Sequence, residues 1–216
     1  MERVPEPELM EEEEQARAYS SADFEAPHEA FVSFSDKAFS GQIAGRILDL
    51  GCGPGDITVR FAKRHPDCVL MGVDGSEAML RFGRERVAEQ GLQDRVVLER
   101  VFLPSRDLGN DFDGAISNSL LHHLEEPEVL WESLKAHVQP GSPVFIMDLL
   151  RPDSRDVAQA LVDTYSSGEP EVLRRDFFLS LCAAYRPQEI RAQLESAGLG
   201  HLTLEVVTDR HWVVFG

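Results

Sequence analysis

Cysteine is scarce in this chain. Its 216 residues hold three, Cys52, Cys68 and Cys182. An odd number at wide spacings forms neither a disulfide framework nor a zinc-knuckle pattern, so a reducing, cytoplasmic setting and no metal are expected. Positive charge is also in short supply: 21 Lys and Arg stand against 38 Asp and Glu, a net charge of −17. Polyphosphate and anionic membrane surfaces would be repelled, so neither nucleic acid nor a membrane is expected as a partner. Long apolar runs are missing. Stretches such as Val144–Met147 fall far below the roughly 20 residues of a membrane span. The opening MERVPEPELMEEEE lacks the basic and apolar regions of a secretion signal.

What remains is enough for a folded domain. Hydrophobic residues make up 43% of the chain, sufficient for a core, and the length suits one domain. The charge is unevenly spread. Residues 1–29 carry ten acids and two bases, about half the excess in under a seventh of the chain. Tyr19, Phe24, Phe31 and Phe34 are interleaved there, and Ala30, Phe31, Phe34 and Ala38 follow helical spacing. Residues 1–40 therefore read as an acidic helical lid docked on a body at 41–216, with the first ten residues loose.

The body alternates short apolar runs with helical patterns. Strands are expected at 46–50, 68–73, 96–98, 112–118 and 144–149, and helices at 55–65, 76–90 and 127–138. A hairpin at 202–207 and 212–215 closes the chain. Apolar runs of about five residues alternating with helices of about twelve indicate an α/β fold. The expectation is a doubly wound, mainly parallel seven-stranded sheet with a C-terminal antiparallel hairpin and helices on both faces. Ligands of such sheets sit beyond the carboxyl ends of the strands. Residues 151–186 interrupt the alternation with two helical stretches and read as a substrate-cap insertion.

The strongest local signal is Asp49-Leu50-Gly51-Cys52-Gly53-Pro54-Gly55-Asp56, between the first strand and the first helix of the body. Glycines let backbone amides approach a ligand and tolerate positive φ. Asp74 ends the second strand, about 20 residues on, where a carboxylate can accept both ribose hydroxyls. Together they indicate an adenosine-containing ligand. The spacing is G-x-G-x-G, with Asp56 where a dinucleotide fingerprint has its third glycine. Carboxylates at Asp49 and Asp56 suit a cationic ligand better than a pyrophosphate.

ILDLGCGPG at 47–55 resembles the signature of class I S-adenosylmethionine-dependent methyltransferases. The resemblance extends through GVDGSEAML at 72–80, FDGAISNSLLHHL at 112–124 and the Pro140-Gly141 turn before VFIMDLL at 144–150. It implies S-adenosyl-L-methionine as cofactor. Gly51, Gly53 and Gly55 would cradle its methionine part, with Asp49 on the ammonium. Asp74 would hold the ribose. Gly75, Ser76 and Met79 would lie beside the adenine, with Val101 offering a carbonyl to its amino group, and Glu99 is the other residue near that amino group. Asn118 and Leu121 would line the reacting edge, and Tyr19 would fold over the cofactor.

Methyl transfer needs a base only when the acceptor carries a proton that must leave. His122, His123 and Asp148 are the candidate catalytic groups, and loop positioning is the other role open to them. The acceptor expected is a small soluble molecule of anionic or aromatic character, under Arg151, Tyr165, Arg174, Arg175, Phe178, Tyr185 and Arg186. The chain would act as a monomer or homodimer. Two other readings stay open: an RNA- or protein-modifying methyltransferase, and a non-catalytic cofactor-binding protein that kept the fold.

Overall fold

A computed structural model describes residues 1–6, 13–22, 24–40 and 43–216. Seven strands form one sheet in the order β3-β2-β1-β4-β5-β7-β6. They are β1 (Gly45–Leu50), β2 (Cys68–Asp74), β3 (Val96–Arg100), β4 (Gly114–Asn118), β5 (Val144–Leu149), β6 (Thr203–Val206) and β7 (His211–Phe215). The first five run parallel, and β7 pairs antiparallel with both β5 and β6. The expected fold class is what the structure shows.

Alternation along β1 explains the two-sided core. Ile47 faces one layer and Leu48 and Leu50 the other, all fully buried. On the Ile47 side lie α2 (Glu25–Ala38), α3 (Asp56–Arg64) and α4 (Glu77–Glu89), packed through Phe31, Phe61, Leu80 and Val87. On the other side lie α5 (Glu128–His137) and α8 (Pro187–Ser196), packed through Trp131, Leu134, Ile190 and Leu194. A third cluster joins α6 (Arg155–Tyr165) and α7 (Glu171–Ala183) to Leu149.

The N-terminal segment divides into three parts. α2 is a core layer: Phe31 is fully buried and meets Phe145 of β5 edge to face at 5.0 Å. α1 (Glu13–Ser21) packs against α4 and α7. Residues 1–6, expected to be loose, are pinned. The Val4 amide donates to the Cys182 carbonyl at 3.0 Å, and the Arg3 guanidinium donates to the carbonyls of Ala183, His122 and Leu124. Backbone carbonyls left over at the end of α7 and beside the His122 turn supply these partners, which a composition argument cannot see. Residues 7–10 of the expected loose start lie outside the described residues.

The core position of α2 has a measurable consequence. Phe31→Ala should lower the unfolding free energy by about 3–5 kcal/mol in urea denaturation. A loss below about 1 kcal/mol would show that α2 is an appended cover and no part of the core.

Candidate functional site

A cleft opens at the carboxyl edge of the parallel strands, beyond the ends of β1, β2 and β4. β1 hands over to the glycine loop there, and the Gly51 and Cys52 amides both donate to the Val73 carbonyl, at 2.9 and 3.0 Å. That double anchor forces a tight turn, and Gly51, Gly53 and Gly55 all take left-handed φ values of 71°, 52° and 69°. The three glycines do different jobs. A Cβ on Gly51 would stand 2.8 Å from Leu120, and one on Gly53 would point into open space. A Cβ on Gly55 would meet Leu98 at 3.2 Å and the Gly83 backbone at 3.4 Å. Gly55 therefore serves the contact between α3 and α4 and does not line the cleft. Its assignment to the ligand cradle is corrected on that ground.

Three carboxylates set the electrostatics. Asp74 accepts from the Gly53 amide at 2.9 Å through Oδ2 and from the Ser76 amide at 2.8 Å through Oδ1. Each oxygen keeps a lone pair. Burial raises its pKa, and the two amides oppose that rise. Asp49, 2% exposed, accepts from the Thr58 hydroxyl at 2.6 Å. Burial pushes its carboxyl up to about 7, against the Thr58 hydrogen bond and with help from Asp74. Burial would raise Asp56 as well. Hydrogen bonds from His28, at 2.6 Å, and Arg60, at 2.7 Å, outweigh it and hold Asp56 well below the usual carboxylate range. Asp56 is thus occupied by protein partners, whereas Asp74 faces the cleft and Asp49 lies at its floor. The Cys52 thiol, also on the lining, is pushed well above its ordinary value by burial and by Asp49 and Asp74, so it stays neutral.

Tyr19, Gly75, Ser76, Met79, Val101 and Asn118 line the cleft as expected from the sequence. The Ser76 hydroxyl also caps α4, accepting from the Met79 amide. Glu99 is exposed and off the lining; Phe102 and Leu103 follow Val101 into it. Leu121 is corrected to Leu120. Ser119 has φ 56°, which turns the chain so that Leu120 faces the cleft and Leu121 the core. His28, which the sequence places with Tyr19 in the segment folding over the cofactor, lines the cleft as well, whereas Pro54, Ile57, Ser119 and Leu124 were missed.

Of the three candidate catalytic groups, only His123 lines the cleft. His122 and Asp148 sit behind it, 2% and 1% exposed. Asp148 accepts from His122 Nδ1 at 2.5 Å, from the Leu121 amide at 2.7 Å and from the Leu149 amide at 2.6 Å. These bonds hold the 3-10 turn Leu121–His123 against β5. None of the seven residues expected in an arginine–aromatic cap lines the cleft. Arg151 pairs with Glu189, Arg174 with Asp163, and Arg186 with Asp153. Local acids attract these guanidiniums more strongly than an open cleft does.

A family described as "Methyltransferase domain" matches residues 48–144, the span from the end of β1 through the start of β5. Residues 48–144 are thus similar to a methyltransferase domain. It is 41% identical over 97 residues to a trans-aconitate 2-methyltransferase of Rhodococcus jostii, covering 45% of this chain and 35% of that one. It is 25% identical over 191 residues to a ubiquinone biosynthesis O-methyltransferase of Acinetobacter baumannii, covering 84% and 73%. The chain thus spans about a third of the first relative and most of the second. In fold, the chain resembles a SAM-dependent methyltransferase from Aquifex aeolicus, with a TM-score of 0.65 at 17% identity, covering 94% and 97% of the two chains.

The Asp49 carboxyl of the ligand-free protein should titrate at about 7 by carbon NMR. Thr58→Val, which removes the hydroxyl that stabilises the ionised form, should move the midpoint higher. A midpoint near 4 would mean that Asp49 is solvated and does not close the floor.

Proposed function

We propose that this domain transfers a methyl group from S-adenosyl-L-methionine to a small soluble acceptor. One observation carries the reading: among the described residues the cleft is lined by Asp49 and Asp74, which accept only from a hydroxyl and backbone amides, by an Asp56 already paired with Arg60, and by no lysine or arginine. A phosphate-bearing dinucleotide would find no cation there. A ligand with an ammonium and a sulfonium and no phosphate matches the charge. Gly53, whose missing side chain opens on the cleft, leaves room for close backbone approach.

In this reading Asp74 accepts both ribose hydroxyls, supported by the lone pairs its two amide bonds leave. Val73, Met79 and Phe102 offer apolar surface to a purine. Asp49, through its high carboxyl pKa, ionises in company with an ammonium. Bound there, the cofactor supplies a methyl already activated on a positive sulfur, so the protein's part is mainly proximity and orientation. Asn118, Ser119 and Leu120 form the wall beyond that point, and His123 and Leu124 continue it toward the acceptor end. Tyr19 and His28 close the cleft from the N-terminal side, which favours an acceptor that enters whole over one residue of a polymer. The substrate named for the Rhodococcus relative, trans-aconitate, points the same way.

Asp74→Ala should weaken S-adenosylhomocysteine binding roughly 100-fold in calorimetry, because two hydrogen bonds to a charged acceptor are lost. Gly53→Val should abolish it by filling the approach surface. Unchanged affinity in both variants would overturn the cofactor site. For the acceptor, purified protein and methyl-labelled cofactor should label the small-metabolite fraction of a cell extract. Label confined to RNA or protein would overturn the small-molecule reading.

A further inference from the structure

The pinned N-terminal residues bring a third donor to the two histidines. Glu6 Oε1 lies 3.5 Å from His122 Nε2 and 3.3 Å from His123 Nδ1, and all three atoms fall within 4.8 Å of one another. These separations are long for charge-assisted hydrogen bonds, which run at about 2.7–2.9 Å. The two separations match edges of a tetrahedron whose corners stand about 2.0–2.2 Å from a central ion, roughly 3.4 Å apart, and the two imidazole donors lie within 4.8 Å of each other. We propose that Glu6, His122 and His123 form a binding site for a divalent first-row transition metal at the acceptor end of the cleft.

The outer contacts are those such a site needs. Metal-bound histidines usually give their other ring N–H to a carboxylate, which fixes the ring and its tautomer. His122 does so: Nδ1 meets Asp148 Oδ1 at 2.5 Å, leaving Nε2 toward Glu6. Glu6 is itself oriented by the Ser180 hydroxyl, which donates to Oε1 at 2.9 Å. Glu6, Asp148 and Asp176 act on the cluster as negative charges. Arg3 is the nearby cation, and its guanidinium is taken up by three backbone carbonyls. The balance attracts a dication.

The donor set selects the ion. Two imidazoles and one carboxylate suit zinc, cobalt, nickel or iron(II), whereas magnesium and calcium prefer oxygen alone. Three protein ligands leave a coordination position open. His123 lines the cleft, so the open position would take an oxygen or sulfur donor of the acceptor. Coordination lowers the pKa of a bound hydroxyl or thiol, whose proton passes to solvent and leaves an oxyanion or thiolate. That acceptor role rests on the methyl-transfer reading; the metal site itself does not, and its test needs neither cofactor nor acceptor.

Tag-free, chelator-treated full-length protein titrated with cobalt(II) should take up one equivalent. The visible ligand-field bands should be those of a four- or five-coordinate site. Glu6→Gln and His123→Gln should each abolish these bands while S-adenosylhomocysteine binding persists. Asp148→Asn should weaken the metal roughly 10–100-fold. Stoichiometry well below one in the wild type, or bands unchanged in both ligand variants, would overturn the site. Failure of S-adenosylhomocysteine to bind while cobalt(II) still binds would instead count against the cofactor reading alone.

Discussion

The cleft depends on one carboxylate held by two amides. Asp74 stands at the last position of β2 and accepts from Gly53 on one side and Ser76 on the other. It therefore ties the loop after β1 to the loop after β2, the two segments that must face a nucleoside. The tie works only because Gly53 can hold φ 52° with its amide turned inward, a conformation costing an ordinary L-residue about 1–2 kcal/mol. Loop geometry, acidity and ligand class are thus one constraint. A carboxylate satisfied half by protein and half by solvent is poised for hydroxyl donors and hostile to phosphate.

How much of this could be read from the chain depends on how local each interaction is. The sheet was legible because buried parallel strands are short apolar runs and their helices are local patterns. Asp74 was legible because its partner loop lies a fixed distance upstream in the same βαβ unit. Gly55 was misread because a motif shows where a glycine is, and only packing shows what approaches it; here it is Gly83 of α4. Leu121 was misread by a single residue because the left-handed turn at Ser119 reverses which side chain faces the cleft. Arg151, Arg174 and Arg186 were misread because each finds its acid only in the folded structure.

Glu6 was illegible for a different reason. It lies in an acidic segment whose composition says solvent, and 116 positions separate it from His122. Its burial follows from Arg3 and Val4 anchoring the strap to carbonyls of α7 and of the His122 turn. Secondary-structure pattern carries no trace of such a contact, since neither partner belongs to a periodic face at that point.

The two ends of the cleft are consequently built by different means. The cofactor end is made of loops within one continuous stretch, and its side chains are set by strand register and glycine conformation. The acceptor end is assembled from four separate pieces: the strap at 1–6, the turn at 121–123, Asp148 on β5 and Ser180 on α7. Asp148 is the hinge of that assembly, because it holds the Leu121 amide, the Leu149 amide and the His122 ring at once. A shift of β5 would move His123, and a shift of α7 would move Glu6. On the proposed methyl-transfer reading, substrate choice would change through residues 1–6 and α7 while the cofactor end stays as it is, one way for a single scaffold to serve many acceptors.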